Sequence, residues 1–117
     1  RLYSSGARQT TESAMAGNYV YLDWGGGFAR FHSRRFGEHL VPTLRTNMND
    51  LASDYLAQRG GACFLPSSLR GCLRSMGLTP VRGAPEFRRQ LNVAFHSGAR
   101  HRELIEGVAK FFSRVKV

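Results

Sequence analysis

Residues 19–27 have the sequence Tyr-Val-Tyr-Leu-Asp-Trp-Gly-Gly-Gly, and this stretch decides the fold class. Aromatic and β-branched side chains in an unbroken run predict a strand over 19–24, which the three glycines end. Apolar residues then recur at helical spacing and predict a helix over 28–35 that stops at Gly37. A strand that leads directly into a helix is the repeating unit of an α/β sheet.

Strand and helix alternate along the rest of the chain. Asn47 or Asn49 can cap the helix after the second strand, and Pro66 suits the start of the next helix because its missing N–H is not needed there. The residues before position 19 predict a short strand end followed by a loop or hinge. The other predicted elements are strands over 43–46, 62–65, 78–81 and 91–95, helices over 48–59 and 66–76, and a final helix with an apolar stripe of Leu104, Ile105, Val108, Phe111, Phe112 and Val115.

This order predicts a mostly parallel sheet flanked by helices, with right-handed crossovers. Three strand-to-helix turns, at 24–28, 46–50 and 65–68, would then leave the sheet at its carboxyl edge. Ligands bind α/β sheets at that edge, and the backbone N–H groups of helix N-termini favour anions. The residues alone therefore predict a small-molecule site with a preference for an acid.

The composition bounds the class of protein. The chain has 117 residues and a net charge of +9, from 17 Lys and Arg against 8 Asp and Glu. This excess suits an anionic partner, and it equally suits a solvated surface; the Arg residues are dispersed, which weakens a nucleic-acid interpretation. No apolar run approaches the roughly 20 residues that span a bilayer, so we expect no membrane partner. The chain begins at Arg1 rather than Met, and we interpret it as a fragment or processed product.

The two cysteines predict a reduced, cytoplasmic compartment rather than a disulfide scaffold. Cys63 lies in an apolar run and is expected to be a small buried hydrophobe. Cys72 is expected on the inward face of its helix, beside Leu69, Leu73 and Met76. There is no second cysteine pair to complete a zinc site, and we expect no metal and no cofactor.

Motifs of catalysis are incomplete throughout the chain. The glycines at 25–27 lack the spacing of phosphate-binding loops. His101-Arg102-Glu103 has the His-x-Glu of zinc deaminases without the cysteine motif that completes their site. His32 shares the apolar side of its helix with phenylalanines, so we expect a packed histidine rather than a ligand or a base. We therefore expect no enzymatic activity; an enzyme built on this fold would have only the ligand cleft in its favour.

Three segments, taken together with their order and spacing, resemble a known family. They are Tyr-Val-Tyr-Leu-Asp-Trp-Gly at 19–25, Leu-Arg-Thr-Asn at 44–47 and Gly-Gly-Ala-Cys-Phe-Leu-Pro at 60–66. Over about residues 19–96 the chain resembles the second lobe of the effector-binding domain in a subgroup of bacterial LysR-type transcriptional regulators. That subgroup often has Gly-Pro-Glu-Phe after the tryptophan, where this chain has Gly-Gly-Gly-Phe at 25–28. The missing acid leaves the local ligand preference open, and the missing proline should loosen the turn.

The resemblance implies a lobe of the periplasmic-binding-protein type II class. It divides the chain into the end of a first-lobe strand and a hinge (1–18), the second lobe (19–90), and a returning strand with the C-terminal helix (91–117). It implies a small, anionic effector in an inter-lobe cleft, a homo-oligomer, and DNA binding only by an N-terminal winged helix-turn-helix outside this chain. The ligand-binding residues that it implies are Trp24, Gly25, Phe28, Asn47, Met48, Asn49, Leu65 and Pro66.

Two further expectations concern partners. A small basic nucleic-acid-binding module is the alternative function, since helices 48–59 and 66–76 superficially resemble a helix-turn-helix; the apolar run at 62–65 between them does not suit that motif's short turn. The apolar stripe of the final helix would rarely stay exposed on a monomer. We therefore expect the chain to pair with a second copy or to fold this helix back on its sheet.

Overall fold

The computed structural model describes residues 1–98 and 100–115, which form two compact units, Arg1–Phe87 and Arg88–Val117. The first unit is a sheet covered by helices on both faces, and the described part of the second contains one helix. The elements of the first unit are β1 (Leu2–Ser4), α1 (Thr11–Ala16), β2 (Tyr19–Leu22), α2 (Gly26–Phe36), β3 (Leu44–Thr46), α3 (Asn49–Arg59), β4 (Ala62–Phe64), a 3₁₀ turn (Ser67–Leu69), α4 (Arg70–Ser75) and β5 (Thr79–Pro80); the second unit has α5 (Arg102–Ser113).

The five strands have the order β3-β2-β4-β1-β5. β2 pairs in parallel with β3 and with β4, whereas β1 runs antiparallel to both of its neighbours, β4 and β5. The sheet is therefore mixed, and the prediction of a mostly parallel sheet is wrong. The reason is that Leu2 and Tyr3, which are 1% and 0% exposed, bury apolar side chains on both faces of the sheet by inserting between β4 and β5.

Successive side chains of β2 enter the two opposite layers, because residues along a strand alternate between faces. Val20 and Leu22 pack with Ala52 and Leu56 of α3. Tyr19, on the other face, packs in the cluster that contains Phe28 of α2 and the buried residues of α1. All three residues of β4 are buried, so the prediction of a buried central strand over this segment is confirmed.

Two predicted elements at the ends of the chain are wrong. The expected loop before β2 contains α1, whose N-cap Thr10 forms a reciprocal capping box with Ser13. The expected strand over 91–95 is irregular, with Leu91, Val93 and Phe95 exposed. Its alternating pattern suits a strand, but the described part of the second unit offers no other strand for it to pair with.

The end of α2, the start of α3 and the position of Cys72 test three further sequence expectations. Gly37 ends α2 with φ of 77°, as predicted. α3 has Met48 as its N-cap and no side-chain cap, so neither Asn47 nor Asn49 caps it. Cys72 is exposed and does not belong to the inward face of α4, where Leu73 is the buried residue.

Candidate functional site

The turns that follow β2, β3 and β4 lie at one edge of the sheet. These three strands are parallel, and their carboxyl ends therefore point the same way. The backbone N–H of Asp23 donates to the carbonyl of Thr46 over 2.8 Å, which joins the first turn to the second. We call this region the carboxyl edge and define it as residues 23–27, 46–49 and 65–68.

The order of the strands reverses at this edge. β2 lies between β3 and β4, so the chain first moves to one side of β2 and later crosses to the other. α2 packs on one face of the sheet and α3 on the opposite face, and in such an arrangement a crevice is expected beyond the ends of β2 and β4. Ligands of open α/β sheets bind at such a switch point.

Trp24 connects the two strands that border the crevice. Its indole N–H donates to the carbonyl of Phe64, at the end of β4, over 3.0 Å. The ring is partly buried and contacts both core clusters. Because the N–H is already engaged, the indole offers a ligand its ring surface rather than a hydrogen bond.

The N-terminus of α2 borders the crevice and carries positive character. Gly25 has φ of 96°, and its N–H donates to Asp23 Oδ1 over 2.8 Å. α2 has no side-chain cap and no acidic residue in its first turn. The guanidinium of Arg30 lies against this turn: a Cβ added at Gly26 would be 3.6 Å from Arg30 Nη1. Free helix N–H groups beside a guanidinium favour an anion.

The second turn presents polar groups that are only partly satisfied. Asn47 and Met48 are exposed, and Asn49 is partly buried. Asn49 Oδ1 is shielded from solvent, and within residues 1–98 and 100–115 it has no hydrogen-bond partner. Buried acceptors are normally paired, so this oxygen is an exception within the turn.

Two of the predicted ligand-binding side chains lie in the core. Phe28 is 0% exposed and packs against Phe31, Phe64 and Phe87, and Leu65 is 2% exposed. The backbone of Leu65 belongs to the carboxyl edge and that of Phe28 directly follows it, but both side chains pack in the core. The predicted residues that remain open to solvent, fully or in part, are Trp24, Gly25, Asn47, Met48, Asn49 and Pro66.

The structure adds residues that the sequence reasoning missed. Asp23 fixes the glycine turn, Arg30 lies over it, and Ser67 and Ser68 follow Pro66 as exposed hydroxyls. A signal for Arg30 was present, because a residue one helical turn after a glycine-rich N-terminus can fold back over it. The serines follow the same proline that predicted a helix start.

Three titratable side chains lie inside the protein rather than at this edge. Tyr19 Oη and His32 Nε2 are 2.9 Å apart, and burial, with a smaller effect from Arg45, lowers the pKa of His32. Burial raises the pKa of Cys63 to about 12, so its thiol is not activated as a nucleophile. The packed, hydrogen-bonded histidine and the buried cysteine are confirmed. The described residues contain no group of His, Cys, Asp and Glu side chains arranged to hold a metal ion.

Comparison with protein-family models, with curated proteins and with solved structures gives no match for this chain. Within the part of the chain that the structure describes, no helix has both the length and the apolar character needed to cross a membrane.

Proposed function

We propose that this chain is part of the effector-sensing domain of a bacterial LysR-type transcriptional regulator, in a lobe of periplasmic-binding-protein type. The carboxyl edge binds a small anionic effector and so controls DNA binding by a winged helix-turn-helix outside this chain. One observation carries the proposal: the strand order reverses between β2 and β4, at the edge where α2, α3 and the 3₁₀ turn begin.

The charges at the carboxyl edge favour an anion over a neutral molecule or a cation. Asp23 is the acid at the first turn, and its Oδ1 already accepts the N–H of Gly25. The uncapped N-terminus of α2 and the Arg30 guanidinium lie beside it. A carboxylate placed there would receive backbone N–H groups and a guanidinium together, a charge-assisted arrangement that is stronger than neutral hydrogen bonds.

The regulatory step follows from unequal affinity. An effector held between this lobe and a second lobe contacts both only when they are close together, so it stabilises that arrangement over the open one. A coupling free energy of about 1–3 kcal/mol is typical of such switches. The DNA-binding domains of the oligomer then fit DNA differently.

Trp24 provides a direct test because it is the one tryptophan of the chain and borders the crevice. A panel of organic acids and amino acids is screened by tryptophan fluorescence and thermal shift, on this chain and on the two-lobe protein. We expect a saturable fluorescence change for at least one acid. Arg30→Gln should weaken the affinity for that acid about tenfold, because a charged hydrogen bond is lost. Arg34→Gln, on the same helix away from the glycines, is the matched control. A broad panel without a hit on the folded two-lobe protein counts against the proposal.

The alternative, a small basic nucleic-acid-binding module, is favoured by the net charge of +9. The helix pair that superficially resembles a helix-turn-helix does not form one, because the segment between α3 and α4 includes the central strand β4. A gel shift at two salt concentrations separates the two functions. Tight, site-selective binding of duplex DNA by this chain, with affinity falling steeply as salt rises, would support the alternative.

A further inference from the structure

A cleft lies beside the edge strand β5 and has a volume of about 610 Å³. We call it the β5 cleft; it is lined by Gly6, Arg8 and Gln9, in the turn after β1, and by residues 79–82. β4 and β1 separate β5 from β2, so this cleft is distinct from the crevice at the carboxyl edge. Its volume lies within the range of about 300–1,000 Å³ that is usual for small-molecule sites.

Four of the residues that line the β5 cleft carry hydrogen-bond donors in their side chains. Arg8 and Arg82 contribute two guanidiniums, and Gln9 and Thr79 contribute an amide and a hydroxyl. Among the described residues, no carboxylate lines the cleft. The ion pairs in the described part of the chain join Arg1 to Glu86 and Arg102 to Glu106, so both cleft arginines lack an acidic partner there.

The backbone on one side of the cleft is fixed before any ligand binds. Arg8 has φ of 51°, a left-handed conformation that is uncommon for residues other than glycine and that concentrates at functional positions. The buried side chain of Ser4 holds this turn: its Oγ accepts the N–H of Gly6 over 3.0 Å and is hydrogen-bonded to the side chain of Gln9. A ligand that meets Arg8 therefore does not have to order the turn that carries it.

The other side of the cleft disfavours an added peptide strand. β5 has only two residues, Thr79 and Pro80, and proline has no N–H to donate to a neighbouring strand. The inner edge of β5 is already paired with β1, and the N–H of Val81 donates to the carbonyl of Leu2 over 2.9 Å. Short strands with proline protect a sheet edge from further pairing.

We propose that the β5 cleft binds a small organic oxyanion, a molecule carrying a carboxylate or a phosphate group. The guanidiniums of Arg8 and Arg82 pair with its oxygens, since planar guanidiniums match both groups in a bidentate way. Pro80 and Val81 line the cleft with apolar surface that accepts the carbon skeleton. This site is additional to the effector site at the carboxyl edge.

The test titrates inorganic phosphate and, separately, succinate into ¹⁵N-labelled protein at constant ionic strength. We expect saturable shifts in the amides of Arg8, Thr79 and Arg82 with at least one of the two anions, and the anion that binds more tightly identifies the class. Arg8→Gln together with Arg82→Gln should weaken this binding at least about tenfold, because two charged hydrogen-bonding groups are lost. Arg34→Gln together with Arg35→Gln removes the same charge from α2 and should leave the affinity unchanged.

Several outcomes would overturn the proposal. Shifts that rise linearly without saturation, or no shifts with either anion, would show that the cleft is not a site. Equal weakening by the α2 control pair would show an effect of net charge alone. A short DNA duplex that binds the same amides and displaces the small anion would show that a phosphodiester backbone is the partner. The dispersion of the remaining amide signals confirms that each variant is folded.

Discussion

The indole nitrogen of Trp24 lies 3.0 Å from the carbonyl oxygen of Phe64, so one hydrogen bond joins the turn after β2 to the end of β4. The two strands border the crevice of the carboxyl edge, and this bond holds its sides together. Since the bond is partly buried, breaking it leaves the Phe64 carbonyl with only the weak hydrogen bond from the Cys63 thiol.

We predict that Trp24→Phe lowers the free energy of unfolding by about 1–3 kcal/mol, because the Phe64 carbonyl then keeps only the weak hydrogen bond from the Cys63 thiol, over 3.6 Å, and the ring is smaller. The measurement is urea unfolding followed by circular dichroism. Tyr55→Phe, which removes a longer hydrogen bond of 3.2 Å to Asn18, is the comparison and should cost less. Equal losses of unfolding free energy in the two variants would mean that the Trp24–Phe64 hydrogen bond contributes no more to stability than the Tyr55–Asn18 hydrogen bond.

The opposite end of β4 depends on a glycine. Gly61 has φ of 131°, and a Cβ there would lie 2.1 Å from the carbonyl oxygen of Asn18, which accepts the N–H of Ala62. Gly61→Ala should therefore destabilise the protein by about 3 kcal/mol through strain and displaced backbone. Gly71→Ala, in α4 with open space around it, should stabilise the protein by about 0.5–1 kcal/mol through helix propensity. Thermal unfolding of the two variants should shift in opposite directions; a shift in the same direction would contradict this structure at Gly61.

Stability should fall as the solution becomes acidic, because of His32. Burial, and then Arg45, lower the pKa of its imidazole below the usual value of 6.5, so the unfolded chain binds a proton more readily than the folded protein. The resulting stability is present above about pH 6.5 and is lost as the pH falls below it towards the folded pKa.

Urea midpoints measured between pH 7.5 and pH 5 test this dependence. His32→Gln keeps a polar partner for Tyr19 and should flatten the fall, even where it lowers stability at neutral pH. His39→Gln, at an exposed position, is the matched control and should keep the slope of the parent. A slope that persists in His32→Gln would assign the pH dependence to other groups.

The sequence predicted the central part of the fold well, because its signals are local. The strand at β2, the helix at α2 and the stop at Gly37 depend on neighbouring residues, and the apolar run at β4 required burial wherever it lay. The position of β1 could not be predicted in this way. Its partners are set by distant pairings, such as Leu2 with Phe64, and only the assembled sheet shows that both of its faces are covered.

The candidate site was predicted at the level of turns rather than of side chains. Parallel strands bring three turns to one edge, and that inference needed no side-chain detail. Helical spacing placed Phe28 on the apolar side of α2, but it did not show that the ring would be withdrawn fully into the core. Asn47 or Asn49 was expected to cap α3; neither does, and the side chain of Asn49 has an unpaired oxygen among the described residues.

The apolar face of α5 predicts self-association. Leu104, Phe111 and Phe112 are 68%, 65% and 53% exposed, and Phe111 packs edge-on against Phe112. Burying each such side chain is worth roughly 1.5–3 kcal/mol, so we expect pairs of chains to bury these faces as concentration rises. Phe111→Asp together with Phe112→Asp should return the protein to a monomer in light scattering. Arg102→Asp changes the charge by the same amount on the polar side of α5 and removes only a surface ion pair with Glu106, so it should still self-associate. A parent chain that stays monomeric at high concentration would show that this apolar face is covered within one chain.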